Sequence, residues 1–584
     1  MVLITLICLL FTANSVIQHF VPTYVRNSLP SRLIKIRTMT LVSGQSQEIC
    51  DIVSEEVHSQ AIKNIRNLVV GIDFDDVIRY LKKAIGKMGL YAILSHRWGT
   101  NEVTFEDINL CSEILTGGIM DIKSECVKNR KYFKTKSILN TLVTESRKND
   151  PHLDPENHII KHLFDLVNSI DLKDTNANVG FVKLVNYCHV ALFRHGCEFA
   201  WMDTCCIDKT SSAELDESIR SMFKWYRNSA ICIIHLGSTS KGAVRIKYDP
   251  WFSRGWTLQE LLAPRRAKFY DEDWLPFTGW RVKNDKLLQS YYPTETDDSD
   301  PDSSKSDIES DDEDEVYPGI LDHRINKRVL LHSGASEVPL SPGAVDREIH
   351  EQDVDERLIK NVASITGIPL ADLLHFKPGL KDIRRRLQWA ANRETTRIED
   401  RAYSLLGIFG ITIPIAYGEG ENAFYRLQES IMQKSSDRSL FLWEGQASSQ
   451  SSMLASTPEC FKCRYDILTK NAILKESYSP QPYFTLTNHG LAIAMSLYDN
   501  DETIKWANAV ASDYKLGLAP NRVRRYRLAV LGYDNTSKPI YMILVKHRRL
   551  GNIYYTRHLW SPQSIRGVHL DMPQPPDAEV IFIQ

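Results

Sequence analysis

With 584 residues the chain is long enough for two or three domains, and its 43% apolar and 25% charged residues are those of an ordinary globular protein that can bury a sizeable core. Lys and Arg number 71 against 73 Asp and Glu, a formal net charge of −2, which excludes a basic nucleic-acid-binding protein as the main reading. The 11 cysteines are odd in number and scattered, which excludes a secreted disulfide framework and fits a reducing interior.

Residues 2–11 form an apolar run like the core of a signal peptide, followed by the small residues Ala13 and Ser15. No basic residues precede the run, and about ten apolar residues are too few to span a bilayer, so no stable membrane span is expected. Residues 1–31 read as a loose N-terminal extension of a cytoplasmic protein; secretion is the alternative if residues 1–15 are a true signal peptide. An α/β region is expected over residues 32–280, with its core at 90–271 and a polar insertion at about 118–180.

Within that core, residues 90–95, 199–203 and 230–236 are apolar runs of strand length. A helix separates the last two, because Leu215, Ile219, Met222, Phe223 and Tyr226 recur at helical spacing and Ser211 with Glu214 forms a capping box. Residues 258–262 predict a short helix stopped by Pro264, and residues 267–270 a further strand. Strands alternating with helices predict a parallel sheet with right-handed crossovers.

Residues 297–315 are acidic and serine-rich, with too little apolar surface to offset their ordering entropy, so a disordered insertion is expected over 290–350. A helical region is expected over 351–438, marked by residues 387–389, by 402–409 and by the amphipathic set Phe424, Leu427 and Ile431. Alternating runs at 483–486, 528–531 and 540–545, separated by Pro, Gly and Asn turns, predict a β-rich region over 439–584.

Three segments carry most of the chemistry: Tyr91-Ala92-Ile93-Leu94-Ser95-His96-Arg97-Trp98-Gly99, Trp201-Met202-Asp203-Thr204-Cys205-Cys206-Ile207-Asp208-Lys209 and Arg254-Gly255-Trp256-Thr257-Leu258-Gln259-Glu260. Each delivers polar side chains at the end of an apolar run, where open α/β sheets place their crevices, so one composite site is expected. Ser95 and Trp98 follow the first strand and line a ligand crevice; the competing reading has Trp98 capping a core and His96 at the surface. Asp203 closes the second strand, where it binds a ribose hydroxyl, orients a base or simply caps its loop. In the third segment Trp256 and Glu260 share a helical face with Arg254 at its edge. Glu260 there is a base or nucleophile beside an indole, or Arg254 staples the loop by a salt bridge.

Other motifs fail on inspection. Gly237 and Gly242 have P-loop spacing, but Ala243 and Val244 stand where Lys and Ser or Thr are required. The acids around Gly418 and Gly420 would repel phosphate, so no nucleotide-switch module is read here. Cys460 and Cys463 make a C-x-x-C without a second ligand pair, and no metal site is expected. Cys205 and Cys206, with His96, His189 or His235 as partner, raise a thiol-protease reading against that of small buried apolar residues.

The three segments, together with the block Asn392-Arg393-Glu394-Thr395-Thr396-Arg397-Ile398-Glu399-Asp400-Arg401-Ala402-Tyr403-Ser404-Leu405-Leu406-Gly407 and with Tyr417-Gly418-Glu419-Gly420-Glu421, resemble the fungal heterokaryon-incompatibility (HET) domain family. The resemblance implies an effector of fungal nonself recognition that triggers programmed cell death, acting through protein partners or self-association, and an α/β fold of TIR-like, flavodoxin-like type. Some TIR domains hydrolyse NAD by means of a glutamate; by that analogy NAD is a possible substrate rather than a bound cofactor, with Glu260, Asp203 and Ser95 catalytic and Trp98, Arg254 and Trp256 binding. The mixed-charge block at 392–407 is expected to dock onto the α/β domain as a scaffold.

Overall fold

The computed structural model describes residues 2–67, 89–99, 101–109, 179–239, 243–277, 351–462, 484–499, 501–505, 525–533, 539–549, 552–558 and 576–584. Most of the expected insertion at 118–180, the acidic stretch and Cys463 lie outside them. The chain divides into two compact units: Met1–Asp208 with Asn228–His235 and Pro264–Ile359, and Lys209–Arg227 with Leu236–Ala263 and Lys360–Gln584.

The first unit is built on a six-stranded mixed sheet of β1 (Arg32–Lys35), β2 (Thr40–Ser43), β3 (Tyr91–His96), β4 (Phe199–Trp201), β5 (Ile231–His235) and β6 (Ala267–Tyr270), ordered β2-β1-β4-β3-β5-β6. Strands β3 to β6 run parallel, and β1 and β2 form an antiparallel hairpin added beside β4. Every residue of β3, β4 and β5 is buried, the pattern of parallel strands covered on both faces. The expected strands at 90–95, 199–203, 230–236 and 267–270 are therefore present, each within two residues of its expected ends. The hairpin was hidden because its strands are only four residues long.

The first residues are not a loose tail. They form a helix, α1 (Val2–Ser28), packed on α2 (Gln47–Asn67). Ile17, Val21 and Val25 recur every four residues on α1, and Ile49, Val53 and Val57 do so on α2, so each helix buries one stripe. Among the described residues no helix is long and apolar enough to cross a membrane. The next helix, α3 (Val179–His189), continues into a π-helical turn at Val190–Arg194. Its buried Tyr187 hydroxyl lies 2.8 Å from the carbonyl oxygen of Ala92 and 3.1 Å from that of Trp201, which fixes α3 against β3 and β4.

The second unit contains α4 (Ser212–Asn228) and α5 (Thr257–Leu262), followed after α6 (Glu351–Thr366) by α7 (Leu370–His375), α8 (Ile383–Ala390), α9 (Asp400–Tyr403), α10 (Leu406–Phe409) and α11 (Asn422–Met432). Helix α4 starts as its capping box predicts: Ser211 accepts from the amide of Glu214 at 3.4 Å through its side chain and from Leu215 at 3.0 Å through its carbonyl. The run at 402–409 is two short helices rather than one, separated by Ser404 and Leu405. A Cβ placed on Gly407 would sit 2.2 Å from Cβ of Phe223, so only glycine permits this approach of α10 to α4.

The C-terminal part holds β7 (Phe484–Thr487), β8 (Gly490–Leu497), β9 (Tyr526–Tyr533), β10 (Pro539–Arg549), β11 (Asn552–Arg557) and β12 (Glu579–Ile583). Neighbours pair in sequence order, and β12 returns to pair with β8, closing a barrel-like ring. Arg557 is buried beside it, 3.7 Å from the centre of the Trp443 ring, and donates to the carbonyl oxygens of Phe441 at 2.8 Å and Trp443 at 2.5 Å. Burial lowers its pKa to about 9.

Candidate functional site

The parallel strands of the first unit take the spatial order β4-β3-β5-β6, so the chain leaves β3 to one side for β4 and reaches its other side with β5. The carboxyl ends beside β3 are thus a topological switch point, the place where open α/β sheets hold ligands. Ser95 and His96 end β3, and His96 stands in register with His235 at the end of β5. Ser95 is fully buried.

His96 is 3% exposed, contrary to its reading as a surface residue, because β3 carries it to the edge of the sheet beneath two loops. Its Nε2 lies 3.6 Å from Oε2 of Glu102, and its Nδ1 lies 4.0 Å from Oδ1 of Asp203. Glu102 also accepts from the amide of Gly99 at 2.6 Å and from Lys183 of α3. Lys183 further donates to the carbonyl oxygen of Arg97 at 3.3 Å. Asp203 accepts from the Trp98 indole at 2.8 Å. Trp98 itself is 44% exposed, so it does not cap a core; its ring lies at the rim, bonded to Asp203.

The charges follow from this geometry. Burial, then the Lys183 ammonium, lowers the His96 pKa, against the opposing pull of Glu102 and Asp203, so the ring is neutral at neutral pH. Burial pushes the Glu102 carboxyl up, but the His96 ring and Lys183 outweigh it and hold the group well below the usual carboxylate range. His235 stacks on Trp274, with ring centres 4.2 Å apart, and burial followed by Lys183 lowers its pKa to about 3. A neutral imidazole between two carboxylates can accept or relay a proton.

The other three expected site residues belong to the second unit, where the 392–407 block packs on their segment. Gly255 donates to the carbonyl oxygen of Glu394 at 2.7 Å, Glu394 donates back to that of Ser253 at 2.6 Å, and a Cβ on Gly255 would meet Thr395 at 2.4 Å. Arg393 donates to the carbonyl oxygen of Arg254 at 3.0 Å and to the hydroxyl of Thr257 at 2.9 Å. Burial lowers the Arg393 pKa to about 10, opposed by the charge of Glu260, which is itself buried. The Trp256 indole bonds Asp400, whose carboxyl is raised by burial and also accepts from Tyr417 at 2.9 Å. The amides of Gly418 and Gly420 are used inside the chain as well: both donate to Oε1 of Glu399, at 2.8 and 3.0 Å.

Glu102 and Lys183 escaped the sequence reading because they lie 81 residues apart and belong to no shared motif. Arg393 and Asp400 were visible only as part of a charged block. Cys205 and Cys206 are buried, and the Cys205 thiol is raised well above its ordinary value by its hydrogen bond with Cys206 and by burial, which removes the thiolate a cysteine protease needs. Among the described residues no group of three or more His, Cys, Asp or Glu has metal-binding geometry.

The sequence profile described as heterokaryon incompatibility protein (HET) matches residues 168–248. This segment of the chain is thus similar to the HET domain. A domain of unknown function (DUF8212) matches residues 422–471. Over 274 residues the chain is 32% identical to the vegetative incompatibility protein HET-E-1 of Podospora anserina, a match that spans 45% of this chain and 15% of that protein. No solved structure matches. The matched HET span holds Lys183, Asp203 and His235, while the segment with His96, Trp98 and Glu102 precedes it and that with Arg254, Trp256 and Glu260 follows it.

Proposed function

We propose that this chain is an effector of fungal vegetative incompatibility, working in the cytoplasm, whose HET domain starts programmed cell death by associating with protein partners or with itself. The HET match and the likeness to the Podospora vegetative incompatibility protein support the pathway. The mode of action rests on one observation: Trp256 and Glu260 face Asp400 and Arg393 of the same chain, as side chains that hold a fold together do. Controlled expression in a fungal host tests the proposal. Growth arrest that persists in Glu260→Gln at equal protein level supports it, and normal growth at that level rejects it.

A second reading, NAD cleavage with Glu260, Asp203 and Ser95 as its catalytic groups and Trp98, Arg254 and Trp256 as binding groups, draws on the strand order β4-β3-β5-β6. That order is the 2-1-3-4 arrangement of flavodoxin-like folds and so is consistent with a TIR-like domain, although fold likeness alone is weak support for chemistry. On this reading, cellular NAD falls before growth stops, and Glu260→Gln abolishes both effects without moving the melting temperature. Killing with NAD intact removes it.

A further inference from the structure

His96 is held in an unusual way. A carboxylate oxygen faces each of its two ring nitrogens, Glu102 Oε2 on one edge and Asp203 Oδ1 on the other, at 3.6 and 4.0 Å, just beyond hydrogen-bond length. Both oxygens are buried and have no hydrogen-bond partner among the described residues. Whichever nitrogen of a neutral imidazole carries the proton, the other turns a lone pair toward a carboxylate. An imidazolium has no such conflict, because both nitrogens then donate.

Charge balance points the same way. Among the described residues, the ionisable groups that act on the ring are Glu102 from the loop after β3, Asp203 from the loop after β4, Lys183 from α3 and His235 from β5. Among these described groups, with both histidines neutral, two carboxylates oppose one ammonium, a surplus of one negative charge. One proton on His96 restores neutrality. The opposing influences are burial and Lys183, which keep the ring neutral until the medium turns acidic.

We propose that His96 is a proton switch that sets the hold of the sheet edge on the exposed Trp98. Uptake of a proton draws Glu102 and Asp203 onto the ring. Glu102 carries the Arg97–Gly99 turn through the Gly99 amide and through Lys183, and Asp203 carries the Trp98 indole, so both ends of the rim tighten together. In the neutral state one carboxylate faces a lone pair and the rim is looser. The switch thereby makes the presentation of a surface tryptophan depend on proton concentration. It is independent of whether the chain acts by association or as an enzyme.

The test uses the full-length chain. Nitrogen-15 spectra of the His96 ring, recorded from neutral pH down to the acid limit of folding, report its protonation directly, and fluorine-labelled tryptophan, assigned through Trp98→Phe, reports the indole. The expected result is a one-proton transition of His96 below its ordinary pKa of 6.5, with the Trp98 signal moving over the same pH range. In Asp203→Asn, which keeps an acceptor for the indole but removes one charge, the midpoint moves to lower pH. A His96 ring that stays neutral throughout the folded range, or a Trp98 signal that titrates independently of it, overturns the proposal without requiring that any His96 variant fold.

Discussion

Arg393 sets its guanidinium 3.0 Å from the carbonyl oxygen of Arg254, joining positions 139 residues apart in the chain. A second donation to Thr257 and the nearby charge of Glu260 complete the latch, so the charged block at 392–407 is a clamp on the third motif segment. This arrangement gives Glu260 a structural purpose.

Arg393→Met removes three charge-assisted hydrogen bonds, to the carbonyl oxygens of Trp389 and Arg254 and to the Thr257 hydroxyl, and takes the guanidinium charge away from Glu260, which is expected to cost about 2–4 kcal/mol. The double variant Arg393→Met with Glu260→Gln loses less than the sum of the two singles, because the stranded charge is then gone. Urea unfolding, read with amide exchange across Thr257–Leu262, measures both. Strictly additive losses would mean that the two groups do not interact.

Gly407 is closely constrained by its surroundings, not by its backbone angles. Gly407→Ala drives a Cβ into the Phe223 side chain of α4 and is expected to destabilise the second unit by about 1–3 kcal/mol or more. Gly367→Ala, whose glycine has a φ of +68° and nothing within 4 Å of an added Cβ, costs only the backbone strain of about 1 kcal/mol. Thermal unfolding of the two variants ranks them, and equal or reversed losses contradict the packing argument.

The parallel strands were legible because burial on both faces forces continuous apolar runs, as in Tyr91–His96 and Ile231–His235. Helix α4 was legible from both its stripe and its cap. Helix α1 was not legible from the apolar run at residues 2–11, because the stripe that is buried lies further on, at Ile17, Val21 and Val25. The candidate site was half legible: Asp203 and Trp98 could be named, and they do meet, but the carboxylate and ammonium that complete the cluster come from Glu102 and Lys183. No local pattern links those two. The distribution of the six expected residues over two compact units also has no signature in the motifs, which are alike in form.

Acid stability should reflect the buried histidines. The pKa values of His235 and His195 in the folded chain are lowered to about 3 and about 4, in both cases first by burial, while the unfolded chain takes these protons near 6.5. Because the folded values are the lower ones, the full contribution is present above pH 6.5 and is lost as pH falls toward 4 and then 3, with a slope of up to about 1.4 kcal/mol per pH unit for each group. His235→Asn removes one such titration. Urea midpoints converted to stability at several pH values should give a slope shallower by about one proton; an unchanged slope would show that His235 takes its proton as readily folded as unfolded.

The paired cysteines give a chemical test of burial. Cys205, Cys206, Cys188 and Cys232 are all buried, and the thiols of Cys205 and Cys188 are pushed up, the first by its bond with Cys206 and the second by burial, so neither supplies thiolate at neutral pH. Cys50 is only partly buried, and burial with the adjacent Asp51 raises its thiol as well, but reagent can reach it. Brief iodoacetamide treatment of the native chain should therefore label Cys50 well before any of the four, with all five labelled together once the chain is unfolded, as peptide mass spectrometry will show. If Cys205 reacted in the folded chain as fast as Cys50, the thiol-nucleophile reading of the second motif would have to be reopened.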